Sequence, residues 1–137
     1  MRISKTFVTV DAVILKKKNS EYFILLIQRK NDPFKHKWAL PGGFVNENED
    51  LEIAAKRELF EETHVKIDKL DQLKAFGKPY RDPRSHVVSI AFMGFTEQNT
   101  IAKGSDDAKK AKWFSVKELP ILAFDHDEII NFALTKI

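Results

Sequence analysis

Glu58, Glu61 and Glu62 lie in a stretch from Leu51 to Thr63 that has no Gly or Pro and is rich in Glu, Ala, Leu, Lys and Arg. Such a stretch is predicted to be a helix of about three and a half turns. At roughly 100° per residue, positions 61 and 62 fall on either side of position 58, so the carboxylates share one face. Like charges this close repel one another unless they spread into solvent, pair with cations or gather around a divalent metal. Taken alone, a Glu-rich helix presents a solvated acidic face. The flanks change that reading: Gly43 lies six residues before Glu49, and Glu49 lies eight before Arg57. A turn, a loop acid and a helix base thus stand at defined intervals from the carboxylates, and the small Ala54 and Ala55 leave room beside them.

The elements that must position this helix are legible in outline. Phe7, Val8, Val10 and Ala12 to Leu15 form a β-rich stretch, Lys16 to Glu21 is polar and turn-like, and Tyr22 to Gln28 is apolar again, which predicts a hairpin. Asn31-Asp32-Pro33 signals a turn before the basic loop Lys35-His36-Lys37, and Pro41-Gly42-Gly43 forces a sharp reversal just ahead of the helix. Beyond it, Val65 to Phe76 reads as a strand region, Gly77 to Ser85 as a loop and His86 to Thr96 as a strand. Glu97 to Lys109 reads as a polar loop and Ala111 to Phe114 as a short strand. Asp125 to Thr135 should be an amphipathic helix with Asp125 or Asp127 as N-cap. No repeat or linker interrupts residues 1–137, which predicts one α/β domain with a mixed sheet flanked by helices.

The segment from Gly43 to Val65 resembles the Nudix box, G-x5-E-x7-R-E-U-x-E-E-x-G-U with U aliphatic, through Gly43, Glu49, Arg57, Glu58, Leu59, Glu61, Glu62 and Val65. A match of this extent arises by chance in roughly one chain of this size in 10⁵ to 10⁶. The departure is His64, where the pattern has Gly; a non-Gly residue in a left-handed helix cap costs about 1 kcal/mol. That concerns the helix exit rather than the carboxylates. The resemblance implies a Nudix-like α/β/α sandwich and a hydrolase acting on a nucleoside diphosphate linked to another group. It implies that Glu58 and Glu62 are the main ligands of Mg²⁺ or Mn²⁺, with more than one ion bound, Glu61 a further ligand or water-positioning group, and a carbonyl of Gly42-Gly43 completing the set. Hard oxygen donors suit those ions. Arg57 and Glu49 are implied to form a supporting salt bridge. The proton acceptor is left open among Glu61, Asp106 and Asp107, with Glu97 a further loop acid.

Outside the box, Lys37 to Val45, Phe76 to Ser89 and Ala123 to Asp127 resemble the ADP-ribose pyrophosphatase branch, with Pro79 about fifteen residues past the box; the same features occur in a related regulator that senses ADP-ribose. The implied reaction is hydrolysis of ADP-ribose to AMP and ribose 5-phosphate. Alternatives are a Nudix hydrolase acting on a modified nucleoside triphosphate, NADH or a dinucleoside polyphosphate, and a catalytically idle ADP-ribose sensor. Arg29, Arg81 and Arg84 are candidate phosphate ligands, and Tyr80, Phe34 or Trp38 could offer adenine an aromatic face. Core packing competes for Trp38, and pairing with Asp82 competes for Arg81 and Arg84. His86 and His126 either meet a ribose or fix loop and helix ends.

Composition bounds the remainder. The chain has 137 residues, 43% of them hydrophobic and 31% charged, and one domain of that size buries roughly two-thirds of its unfolded surface. The longest apolar run, Tyr22 to Ile27, is far short of the roughly 20 residues of a membrane-spanning helix, so no membrane partner is expected. The 23 basic residues are interleaved with 20 acidic ones, and nucleic acid is not an expected partner. The absence of cysteine fits a reducing cytoplasm. The family resemblance also implies a homodimer, with strands near the N-terminus exchanged between subunits.

Overall fold

The computed structural model describes residues 2–104 and 108–137. Its centre is β1 (Thr6–Lys18), which pairs antiparallel with β2 (Glu21–Arg29) and parallel with β6 (His86–Thr96). Short strands β3 (Trp38–Ala39) and β4 (Gly42–Phe44) pair with β2 and β1, β5 (Asp71–Phe76) pairs with β6, and β7 (Ala108–Ser115) pairs with β2. The hairpin is tighter than expected: both strands invade the polar stretch, leaving only Asn19 and Ser20 as the turn, both with positive φ. Positive φ at both central residues matches the twist of the flanking strands.

A central strand covered on both faces should be apolar without alternation, and β1 is buried from Thr9 to Leu15. Val10, Ala12 and Ile14 pack in one core with Ala54, Ala55 and Leu59 of α1 (Leu51–Thr63). Val13 and Leu15 point the other way, into a second core with Ile129, Ile130 and Ala133 of α2 (His126–Leu134). The period of two along one strand therefore builds both layers of an α/β/α sandwich.

Helix α1 has the expected limits. His64 takes the left-handed conformation, φ 62° and ψ 11°, and its N–H donates to the Phe60 carbonyl, so histidine performs the cap that the motif assigns to glycine. The exit route is unchanged. Three expectations are corrected. Strand β5 starts only at Asp71, because Val65 and Leu70 are buried against the α1 core rather than laddered. Strand β7 begins at Ala108, inside the stretch expected as loop. Asp125 occupies the N-cap position of α2, but its side chain caps nothing there and is committed elsewhere, as described next.

Candidate active site

The reversal between β3 and β4 brings Gly42 and Gly43 under α1. The Gly42 N–H donates to Glu62 Oε1 at 2.8 Å, and a Cβ on Gly42 would overlap the Val10 carbonyl oxygen of β1. A Cβ on Gly43 would stand 2.7 Å from the Glu58 carboxyl carbon. Only glycine lets the strand pass this close to the carboxylates. Glu58 and Glu62, one turn apart, face a cavity of about 480 Å³ that is also lined by Gly42, Gly43, Arg29, Lys30, Asp11 and Asp82.

Arg57 lies beside this pair and holds the acidic cluster together. Its Nε and Nη2 donate to Glu49 at 2.7 and 2.9 Å, its Nη1 to Glu58 at 2.9 Å and to Glu61 at 2.8 Å, and its Nη2 also to the Phe44 carbonyl at 3.2 Å. This fork, together with the Asn46 N–H, holds the Glu49 carboxyl down to about 2. Burial pushes Glu58 up, against the pull of Arg57. Glu61 is aimed at Arg57 and does not line the cavity, which departs from the expectation that three carboxylates converge there.

Among the described residues, no three carboxylate or imidazole side chains converge on one point. Two carboxylates on adjoining turns, with the open backbone of Gly42 and Gly43 against them, supply hard oxygens on one side only. Water and substrate oxygens would complete the shell. That suits Mg²⁺ or Mn²⁺, which keep several waters, better than an ion that demands a full protein cage. The residues fit such an ion.

The far wall is held by buried polar groups. Arg81, 5% exposed, donates from Nε and Nη2 to both oxygens of Asp125, forming a bidentate pair between the loop after β5 and the start of α2. Arg84 donates from Nε and Nη2 to both oxygens of Asp82. Burial pushes Asp82 up, but its bonds from Arg84 outweigh this and leave it below the usual carboxylate range. His126 accepts the Leu40 N–H at Nδ1, at 3.0 Å, which leaves the proton on Nε2, 3.6 Å from Asp11 Oδ1; Ser89 donates to the other oxygen of Asp11. Burial drives Asp11 up and His126 down.

One pH dependence follows from His126. Its pKa is lowered on folding, so its contribution to stability is complete above the unfolded value near 6.5 and is lost as pH falls below it. The loss is no steeper than about 1.4 kcal/mol per pH unit. His126→Gln, which keeps an acceptor for Leu40, is expected to flatten the fall in Tm between pH 6.5 and 5; an unchanged slope would mean His126 is charged in the fold.

Of the sequence candidates, Glu58, Glu62, Gly43, Arg29, Arg81 and Arg84 line one cavity. Tyr80 does not: it is 94% exposed. His86 also stands apart, its Nε2 on the Gly77 carbonyl, where it ties loop to strand. Trp38 packs in the core against Phe114. Glu97 lies by a separate shallow depression, and Asp106 and Asp107 lie outside the described residues. The pairing of Arg84 with Asp82 was among the sequence readings; Asp11 and Phe124 were not singled out as cavity residues, although Asp11 carried a signal as a charge inside the most apolar strand.

Fold and site together define an α/β/α sandwich with two helical carboxylates facing a glycine turn. The chain matches the NUDIX domain model over residues 5–132 and belongs to the Nudix family. It is 46% identical over 124 residues to an ADP-ribose pyrophosphatase of Methanocaldococcus jannaschii, spanning 90% of this chain and 70% of that one. It is 32% identical to an ADPR-responsive transcriptional repressor of Acinetobacter baylyi over 94% of this chain, and spans about half that protein's length (53%). The Nudix domain of Shewanella oneidensis NrtR, solved with ADP ribose bound, superimposes with a TM-score of 0.91 at 31% identity, covering 98% of this chain and 90% of that one.

Proposed function

We propose that this protein hydrolyses the pyrophosphate of ADP-ribose to AMP and ribose 5-phosphate with the help of Mg²⁺ or Mn²⁺. The observation that carries the reading is Glu58 and Glu62 on one wall of a cavity whose rim holds Arg29 and Lys30. The similarity to an ADP-ribose pyrophosphatase selects the substrate within that chemistry. A bound divalent ion would neutralise the pyrophosphate and acidify an attacking water. Glu58 and Glu62 would hold that ion, and Gly42 fixes Glu62 through its N–H. Arg57 keeps Glu58 and Glu61 from splaying apart and anchors them to Glu49. Arg29 and Lys30 meet the substrate's anionic end. The proton acceptor is drawn from Glu61, Asp106 and Asp107.

In the same reading the protein works in the cytoplasm as a homodimer. The exposed Phe7 and Val8 supply apolar surface along β1 for the second copy. No helix among the described residues is long and apolar enough to cross a membrane.

The test is product analysis by chromatography after incubation with Mg²⁺ and separate pools of ADP-ribose, NADH, diadenosine polyphosphates and 8-oxo-dGTP. AMP from ADP-ribose, abolished by EDTA, is the expected result. Faster turnover of another pool would keep the site chemistry and change the substrate. Binding of ADP-ribose without cleavage of any pool would overturn the reading in favour of a sensor like the similar repressor.

A further inference from the structure

Helix α2 packs on the side of the sheet away from the carboxylates, yet its first residue reaches the strand that leads into the glycine turn. Residues 121–126 run alongside β3. The Trp38 N–H donates to the Ile121 carbonyl at 3.1 Å, the Ala123 N–H to the Trp38 carbonyl at 2.8 Å, and the Leu40 N–H to His126 Nδ1 at 3.0 Å. Leu40 is buried, and a buried N–H left without an acceptor is costly. A backbone N–H can only donate, so Nδ1 accepts, and Nε2 faces Asp11.

Asp11 in turn forms the floor of the turn. By the alternation along β1 it points to the α2 side with Val13 and Leu15, opposite Gly42 in the β1–β4 pairing. A Cβ on Gly42 would come 2.4 Å from Asp11 Oδ1. Ser89 of β6 donates to Oδ2, which holds the carboxylate in place, and the Pro41 carbonyl accepts the Ala12 N–H at 2.9 Å. Gly42 thus has Asp11 on one side and Glu62, the acceptor of its N–H, on the other.

We infer that His126, Asp11 and Ser89 are positioning residues for the metal site: they fix Leu40 to Gly42 at the height from which the Gly42 N–H sets the Glu62 carboxylate. This rests on the proposed role of Glu62 as a metal ligand and adds the residues that hold it from the α2 side of the sheet. They act through the turn and not by contact with the ion.

The test measures Mn²⁺ binding to the substrate-free protein, from the paramagnetic resonance of the unbound ion, and amide hydrogen exchange by NMR without metal. His126→Ala is expected to weaken Mn²⁺ binding by about tenfold or more, the scale for groups that orient metal ligands. It should also speed exchange of the Leu40 and Gly42 N–H groups relative to the rest of the sheet. His126→Asn, which puts an oxygen where Nδ1 stands, restores both. Ser89→Ala shows the same pattern to a smaller degree and decides the matter if His126→Ala fails to fold. Ile129→Val trims a fully buried residue of the same helix, so it lowers Tm and leaves Mn²⁺ affinity unchanged. Unchanged Mn²⁺ affinity and Gly42 exchange in the folded His126 or Ser89 variant, or equal weakening in Ile129→Val, overturns the inference. A parent that protects the Gly42 N–H through His126 but binds no Mn²⁺ overturns the proposed metal, while the hold on Gly42, read from its exchange, stands.

Discussion

Glu62→Gln is expected to lower turnover of ADP-ribose by at least about a thousandfold, roughly 4 kcal/mol of transition-state stabilisation, while the protein remains folded. Glu62 is buried, 8% exposed, and accepts the Gly42 N–H. Glutamine keeps the volume and an oxygen to accept that N–H, so the turn beneath α1 has no reason to move. What disappears is one of the two helical carboxylate charges facing the cavity. Neutralising Glu62 also relieves its repulsion of Glu58, so the denaturation midpoint should hold or rise. Steady-state kinetics and thermal denaturation on the same preparation check both halves. Undiminished hydrolysis in a folded variant would sink the assignment of Glu62 to the metal.

Arg57→Lys is expected to cost about 10- to 100-fold in activity, the scale seen when a group that orients metal ligands is removed. The guanidinium meets Glu49, Glu58, Glu61 and the Phe44 carbonyl at once because its donors diverge in a plane. A lysine ammonium is a single point on a flexible stem and satisfies one of these groups at a time. Glu58 and Glu61 then repel without a shared counter-ion, and the loop carrying Glu49 loses its tether. The loss should appear mainly as a higher Mg²⁺ concentration for half-maximal activity, partly recovered when Mg²⁺ is raised. A fall in kcat that saturating Mg²⁺ does not touch would instead give Arg57 a direct part in the chemistry.

The contrast between these two residues and the rest of the cavity follows sequence distance. Helix α1 was legible because its signals are local: formers without breakers, and a period that places positions 58 and 62 on one face whatever surrounds them. The Arg57–Glu49 pair, eight residues apart, was implied by the motif, and the fold forms it. The hairpin and β6 were written in their runs of branched and aromatic residues, with boundaries set by pairing rather than propensity. The left-handed cap was implied by the motif, and His64 accepts it because the helix exit is dictated by where Val65 must be buried.

The other cavity wall was hidden because its contacts join distant positions. Arg81 is locked to Asp125, 44 residues later, where the sequence offered phosphate, solvent or Asp82 as partners. Tyr80, one position earlier, is turned outward into solvent by a φ of 69°, a reversal no composition encodes. Asp11 meets Ser89 across a parallel pairing and His126 across a helix junction, and Phe124 reaches the cavity mouth only because residues 121–123 are stitched to Trp38. Sequence alone therefore determined the helix that carries the carboxylates and the glycine turn that must lie beside it, because local geometry leaves those groups few alternatives. The tertiary structure alone decided which cations pair, which rings face the cavity and which polar groups are buried, because those outcomes depend on long-range packing that brings the chain's two ends together.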